Sequence, residues 1–145
     1  MLNDDEQAVA SLFAQLVPEI AAGVVEIKAI ARRPGVRTKL ALSSRDARVD
    51  CVGVCVGIRG SRIRRVVDLL DGERIDLCRW HDDPATLIRH ALQPAAIEAV
   101  LLHPAQHRAT VVVKEDQVSL ALGRRGINRE LASRLCGWEI EVIAG

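Results

Sequence analysis

Apolar residues recur along this chain with two alternating periods. Val9, Leu12, Phe13 and Leu16 are spaced by three and four, which predicts an amphipathic helix. Asn3 and Glu6 can form a capping box at its start, with Leu2 placed for a hydrophobic staple, and Pro18 stops it. Val25 to Ala31 then alternates apolar with polar, as a half-solvated strand does. Pro34-Gly35 turns the chain, and Thr38 to Leu42 alternates again, so a hairpin is expected. Asp50 can cap a short helix, a longer one follows, Asp71-Gly72 turns, and Arg74 to Leu77 reads as a third strand.

The same order then recurs. Asp83-Pro84 starts a helix whose apolar face is Leu87, Ile88, Ala91 and Leu92. Ile97 to Leu102 and Ala109 to Val113 form a hairpin around His103-Pro104. Glu115 and Asp116 lie at the start of a short helix, where acids suit the dipole. A longer helix, a stop at Gly137 and a strand over Trp138 to Val142 complete the unit.

Between the short and long helix of each half lies a Gly-x-x-Gly. It reads Gly57-Ile58-Arg59-Gly60-Ser61-Arg62 first and Gly123-Arg124-Arg125-Gly126-Ile127-Asn128 second. Val52, Val54 and Val56 fall over Val118, Leu120 and Leu122, and Leu69 falls over Leu135. After one deleted residue, Gly72 falls over Gly137 and Ile75 over Ile140. Agreement across loop, helix and strand marks a tandem duplication. Glycine lets a backbone come close, and a helix start offers unpaired N–H groups and partial positive charge. Two such seats with arginines at the tip suit phosphate.

Composition narrows the chemistry. At 145 residues, 49% of them hydrophobic, the chain can build one domain or two small ones and is not a disordered segment. Net charge is only +1, so affinity for a polyanion must come from local clustering. Two Trp, one Phe and no Tyr argue against base-stacking platforms, though not against a backbone grip. Cys51, Cys55, Cys78 and Cys136 form no Cys-x-x-Cys pair and read as reduced, mostly buried thiols of a cytoplasmic protein. Cys78-x-x-His81 has no second pair of matching spacing, so no metal is expected. Neither phosphate-loop signature of nucleotide-binding proteins occurs. His81, His90, His103 and His107 make no catalytic set, so neither an enzyme nor a cofactor is expected.

This order of elements is that of the type II KH domain, and the chain resembles the paired KH region of the NusA family of transcription factors. The resemblance is carried by Val17-Pro18-Glu19-Ile20, Val25 to Arg32, Pro34-Gly35-x-Arg37-Thr38-Lys39 and Val52 to Arg62. Gly72 to Asp76, Asp83-Pro84-Ala85, Asn128, Leu131-Ala132 and Gly137-Trp138 carry it further. It implies an α+β fold of two tandem type II KH domains, each a three-stranded sheet packed by three helices, over residues 1–80 and 81–145. It also implies single-stranded RNA, the nascent transcript, as ligand in pausing, termination or antitermination, with RNA polymerase or other transcription factors as further partners.

The RNA-contacting residues would be Gly57, Ile58, Arg59, Gly60, Ser61 and Arg62, then Gly123, Arg124, Arg125, Gly126, Asn128 and Arg129. The arginines would meet phosphates, and Asn128 sugar or base. Bases would enter an apolar groove between the long helix and the adjacent strand. A monomer without membrane attachment is expected, and the short link from Trp80 to Pro84 suggests one continuous RNA track.

The chain departs from the family in several places. Cys51 stands where proline is usual, Ile127 where a polar residue is usual, and Arg129-Glu130 moves the basic residue one place earlier. The family's amino-terminal polymerase-binding and OB-type domains do not fit before the first unit. The sequence therefore reads as a stand-alone KH pair or a fragment. A second reading is a protein-interaction module docking on polymerase or ribosome components, with RNA binding weakened or lost.

Overall fold

Asn3 starts the first helix as the spacing predicts: its side chain accepts from the Glu6 amide at 2.8 Å, and its own amide donates to Glu6 at 3.1 Å. The fold is that of a computed structural model, which describes residues 2–145. Helix α1 spans Asp4–Leu16. Pro18 does more than end it, because it occupies the first turn of a separate short helix, α2 (Pro18–Ala21). Strands β1 (Val25–Arg33) and β2 (Arg37–Ser44) follow, then α3 (Cys51–Val56), α4 (Ser61–Leu69) and β3 (Arg74–Arg79). The second half gives α5 (Pro84–Ala91), β4 (Ala99–His103), β5 (Arg108–Val113), α6 (Val118–Leu122), α7 (Ile127–Cys136) and β6 (Glu139–Ala144).

The chain divides after Trp80 into two compact units. Each holds one three-stranded sheet, in the order β1-β2-β3 and β4-β5-β6. In both, the first pair is antiparallel and the second parallel. The parallel strand needs a crossover, which the helix–loop–helix supplies. This is the α+β arrangement of tandem KH units.

The core of the first unit is Val9, Phe13, Val17, Val25, Leu40, Leu42, Cys55 and Val66, all essentially inaccessible to water. In the second, Ile88, Leu92, Leu131 and Ile140 are the large buried side chains, with α5 packed on α7. Cys51 sits at the first position of α3, behind the Asp50 cap, where a proline would also fit because that N–H needs no helical partner. Ile127 begins α7 and is buried, so its apolar character serves packing.

One strand departs from its alternating pattern. Residues Arg37 to Leu42 of β2 are all buried, and Lys39 is only 2% exposed. β2 is the central strand, and Asp76 on β3 receives both Lys39 Nζ (2.8 Å) and Arg37 Nε (2.6 Å). A paired cation can be buried where an isolated one cannot. β1 has a register irregularity between Ile27 and Ala29, which shifts its alternation.

A second buried ionic group ties the hairpin turn to the entry of β3. Glu73 is enclosed, and its carboxylate accepts from Arg32 Nη2 (2.9 Å), the Gly35 amide (2.8 Å) and the Thr38 hydroxyl. Burial alone would raise the Glu73 pKa, but the donors from Arg32, Thr38 and Gly35 outweigh it and hold it below the usual value. Its stabilising effect is therefore complete above the unfolded carboxyl pKa of about 4.3 and is lost as pH falls through the lower folded value. Glu73→Gln should destabilise the first unit by about 3 kcal/mol at neutral pH in urea denaturation. The gap to the unaltered chain should begin to narrow as pH falls below about 4.3 and should close only below the lower folded value, where both side chains are neutral.

Candidate nucleic-acid interface

Each glycine loop is a single 3-10 turn inserted between two helices, over Ile58–Gly60 and Arg124–Gly126. The two copies have the same backbone to within a few degrees. Gly57 lies at φ 77°, ψ 173° and Gly123 at φ 74°, ψ 175°. Arg59 (φ 56°, ψ 28°) and Arg125 (φ 56°, ψ 26°) are left-handed although neither is glycine. Gly60 and Gly126 follow, both at φ 75°. The conformation of the first glycine is open essentially to glycine alone. The left-handed arginines carry roughly 1–2 kcal/mol of strain each, which the surrounding packing must hold.

The two glycines of a loop have different jobs. A Cβ on Gly57 would lie 2.7 Å from Arg62 Cγ and 2.9 Å from the Arg62 backbone nitrogen. A Cβ on Gly123 would lie 2.7 Å from Asn128 Cβ and 2.8 Å from its nitrogen. The first glycine is therefore required by the chain's own close approach. At Gly60 the nearest atom to an added Cβ is Arg64 Nη2 at 3.6 Å, and at Gly126 nothing lies within 4 Å. The second glycine keeps an outer surface open.

Ile58 projects with 85% of its surface exposed, and Arg59, Ser61, Arg124 and Arg125 are exposed too. Arg64 Nη2 donates to the Arg59 carbonyl and braces the loop from the next helical turn. Gly53, Val54, Gly57, Ile58, Ser61 and Arg62 line a cleft of about 590 Å³ beside the first loop. Those residues belong to α3, the loop and α4, so the cleft lies between the two helices and takes no strand residue.

Several residues expected to meet RNA are occupied within the fold. Arg62 Nη1 donates to the Val54 carbonyl (2.7 Å) and pairs with Glu19 (3.1 Å). Asn128 is fully buried, with Nδ2 within 3.3 Å of the carbonyls of Leu92, Leu120 and Ala121, so it cannot reach sugar or base. Arg129 Nη1 donates to the Ile140 carbonyl (3.1 Å) and ties α7 to β6. Two of the amides that the helix starts were expected to leave open are also used. The Gly60 and Ser61 amides donate to Gly57 and Ile58, and those of Gly126 and Ile127 to Gly123 and Arg124.

Glu19 and the cleft residues Gly53 and Val54 belong to the site without having been singled out for it. Glu19 lies in the stretch Val17 to Ile20 that carries the resemblance, but nothing in its spacing points to Arg62. Burial pushes the Cys55 thiol up to about 12 and the Cys78 thiol up to about 11, so neither is a ready nucleophile. Among the described residues, no group of three or more His, Cys, Asp or Glu could hold a metal ion. No described helix is long and apolar enough to cross a membrane.

The model of the NusA-like first KH domain matches residues 3–80, and that of the NusA-like second KH domain matches residues 84–144. This chain belongs to the NusA-like KH family. It is 43% identical over 142 residues to the transcription termination/antitermination protein NusA of Rickettsia conorii, covering 96% of this chain and 28% of that protein. It is 47% identical over 135 residues to NusA of Thermus thermophilus, covering 93% and 35%. With NusA of Bacillus subtilis it shares 42% over 131 residues, covering 90% and 35%. The chain thus spans about a third of the length of the curated relatives it matches. The crystal structure of APE1850 superposes with a TM-score of 0.69 at 20% identity, covering 99% of this chain and all of that one, which is a likeness of fold.

The two glycines of the first loop should respond differently to a methyl group. Gly57→Ala should cost about 3 kcal/mol, from the forbidden backbone and the clash with Arg62. Gly60→Ala should cost about 1 kcal/mol, from the left-handed backbone alone. Urea denaturation of the two variants measures the difference, and equal losses would contradict the division of roles.

Proposed function

We propose that this chain is the RNA-gripping part of a transcription termination/antitermination factor. Each loop holds the sugar-phosphate backbone of about four nucleotides of single-stranded RNA, the span a KH module clamps. The nascent transcript is the natural ligand in that setting. The observation that carries the reading is the identity of the two loop backbones. A strained turn kept in two diverged copies, with an open outer surface and exposed guanidinium groups in both, is what a backbone clamp needs.

The contact set differs from the one sequence suggests. At the first loop it is Gly57, Ile58, Arg59, Gly60 and Ser61, with Arg64 and Arg65 exposed one turn on. At the second it is Gly123, Arg124, Arg125 and Gly126. Arg59, Arg124 and Arg125 supply the phosphate contacts, and Ile58 gives an apolar surface to a sugar or base edge. No aromatic residue stands in either loop, so affinity comes from backbone and charge rather than stacking.

Ile58→Asp with Arg59→Asp, and separately Arg124→Asp with Arg125→Asp, should each weaken binding of a short single-stranded RNA by about tenfold or more. Both pairs together should abolish it, since the first loss leaves only the other loop holding the strand. Thermal unfolding temperature should not fall, because the loop tips are exposed and Asp accepts the left-handed backbone at 59 and 125 at least as well as Arg does. Full affinity in a folded variant would reject the loop assignment. Failure of the unaltered chain to bind RNA at low salt would favour the docking-module reading.

A further inference from the structure

Position 62 of the first unit and position 128 of the second are equivalent, each five residues past the first glycine of its loop. One is a half-exposed arginine and the other a fully buried asparagine. Nevertheless they make the same bond. Arg62 Nη1 donates to the carbonyl of Val54, and Asn128 Nδ2 donates to the carbonyl of Leu120, the residue equivalent to Val54. Each also packs against the first glycine so closely that no Cβ fits between them.

The bond answers a specific need. A helix leaves its last four carbonyls without helical partners, and they carry partial negative charge. In α3 and α6 that end runs into the loop offered to phosphate. The Gly57 and Gly123 amides satisfy the carbonyls of Gly53 and Ser119. Arg62 takes the next carbonyl of α3, and Asn128 takes the next two of α6, those of Leu120 and Ala121. The Asn128 amide can have only this orientation, because its oxygen would otherwise face three carbonyl oxygens. Its Oδ1 is buried and has no hydrogen-bond partner within the chain.

We infer that Arg62 and Asn128 are positioning residues, which lock each loop in its RNA-gripping shape and cover the negative end of the preceding helix, without touching RNA. The inference rests on the RNA-binding reading above. In the first unit Glu19 balances the Arg62 charge at 3.1 Å, so the strut adds no net charge to the loop, as the asparagine adds none in the second.

The test is the salt dependence of binding to a labelled mixed-sequence single-stranded RNA. Glu19→Gln combined with Arg62→Gln removes one charge of each sign while leaving an amide to reach the Val54 carbonyl. It should keep the affinity and the log–log salt slope of the unaltered chain. A slope shallower by about 0.7, the value of one lost phosphate contact on a single strand, would overturn the inference. Glu19→Gln combined with Arg62→Ala, which removes the strut without changing net charge, should weaken binding about tenfold at unchanged slope, as loss of a charge-assisted bond does. It should also speed hydrogen exchange at the Gly57 and Gly60 amides. Unchanged exchange there would overturn the strut.

Asn128→Leu is read in the same way at Gly123 and Gly126, in a chain whose first loop carries Ile58→Asp and Arg59→Asp. Weaker binding at unchanged slope supports the inference, and unchanged affinity overturns it for the second unit. If the unaltered chain bound no RNA, the functional reading would fall. The exchange rates would still decide whether the strut holds the loop.

Discussion

The site in each unit depends on one steric fact: the backbone of residue 62 or 128 passes too close to a glycine for any side chain to stand between them. That approach lets the chain reverse from a short helix into a long one within a single 3-10 turn. The turn then requires a glycine at the start, a left-handed arginine in the middle and a second left-handed glycine before the long helix resumes. None of these states is favourable alone for an ordinary residue. They persist because α3 and α4, or α6 and α7, are anchored on a sheet that fixes both ends of the turn.

The anchoring is mostly apolar but is fixed in register by buried charge. Phe13, Leu40, Leu42 and Val66 supply the non-directional part of the first core. Glu73 and Asp76 supply the directional part, each receiving donors from the β1–β2 hairpin. Glu73 lies directly after the turn that ends α4, so its ties to Arg32, Gly35 and Thr38 fix where the long helix hands over to β3. A slip of the strand by one residue would bury charge without a partner, which is far more costly than a slip between apolar neighbours.

Much of this was legible in the chain. Capping residues at Asn3, Asp50 and Asp83, the turn at Pro34-Gly35 and the duplicated Gly-x-x-Gly are local signals, and the elements they predict are present. The site was less legible because its decisive contacts are not local. Arg62 reads as one more basic residue on a helix until Glu19, 43 positions away, is seen beside it. Arg129 reads only as a phosphate ligand, and nothing in its spacing shows that its Nη1 also holds the carbonyl of Ile140. Asn128 reads as a polar residue near a loop, and only the packing of α5, α6 and α7 reveals that it is enclosed. Sequence spacing reports which residues lie near the loop but not which of them the fold already ties down.

The duplication separates what the grip requires from what it tolerates. The two copies keep the same dihedral angles and the same bond from residue 62 or 128 to the preceding helix, although one donor is a guanidinium and the other a carboxamide. At the tips the exposed difference is Ile58 against Arg124, while Arg59 and Arg125 match; Ser61 against Ile127 and Arg62 against Asn128 differ behind them. The same bond is thus made by a partly exposed guanidinium in one unit and a buried carboxamide in the other, while the exposed tip is apolar at 58 and charged at 124. On the proposed reading, the two loops offer RNA the same backbone and one matched arginine, and they differ at the tip in an isoleucine against a second arginine.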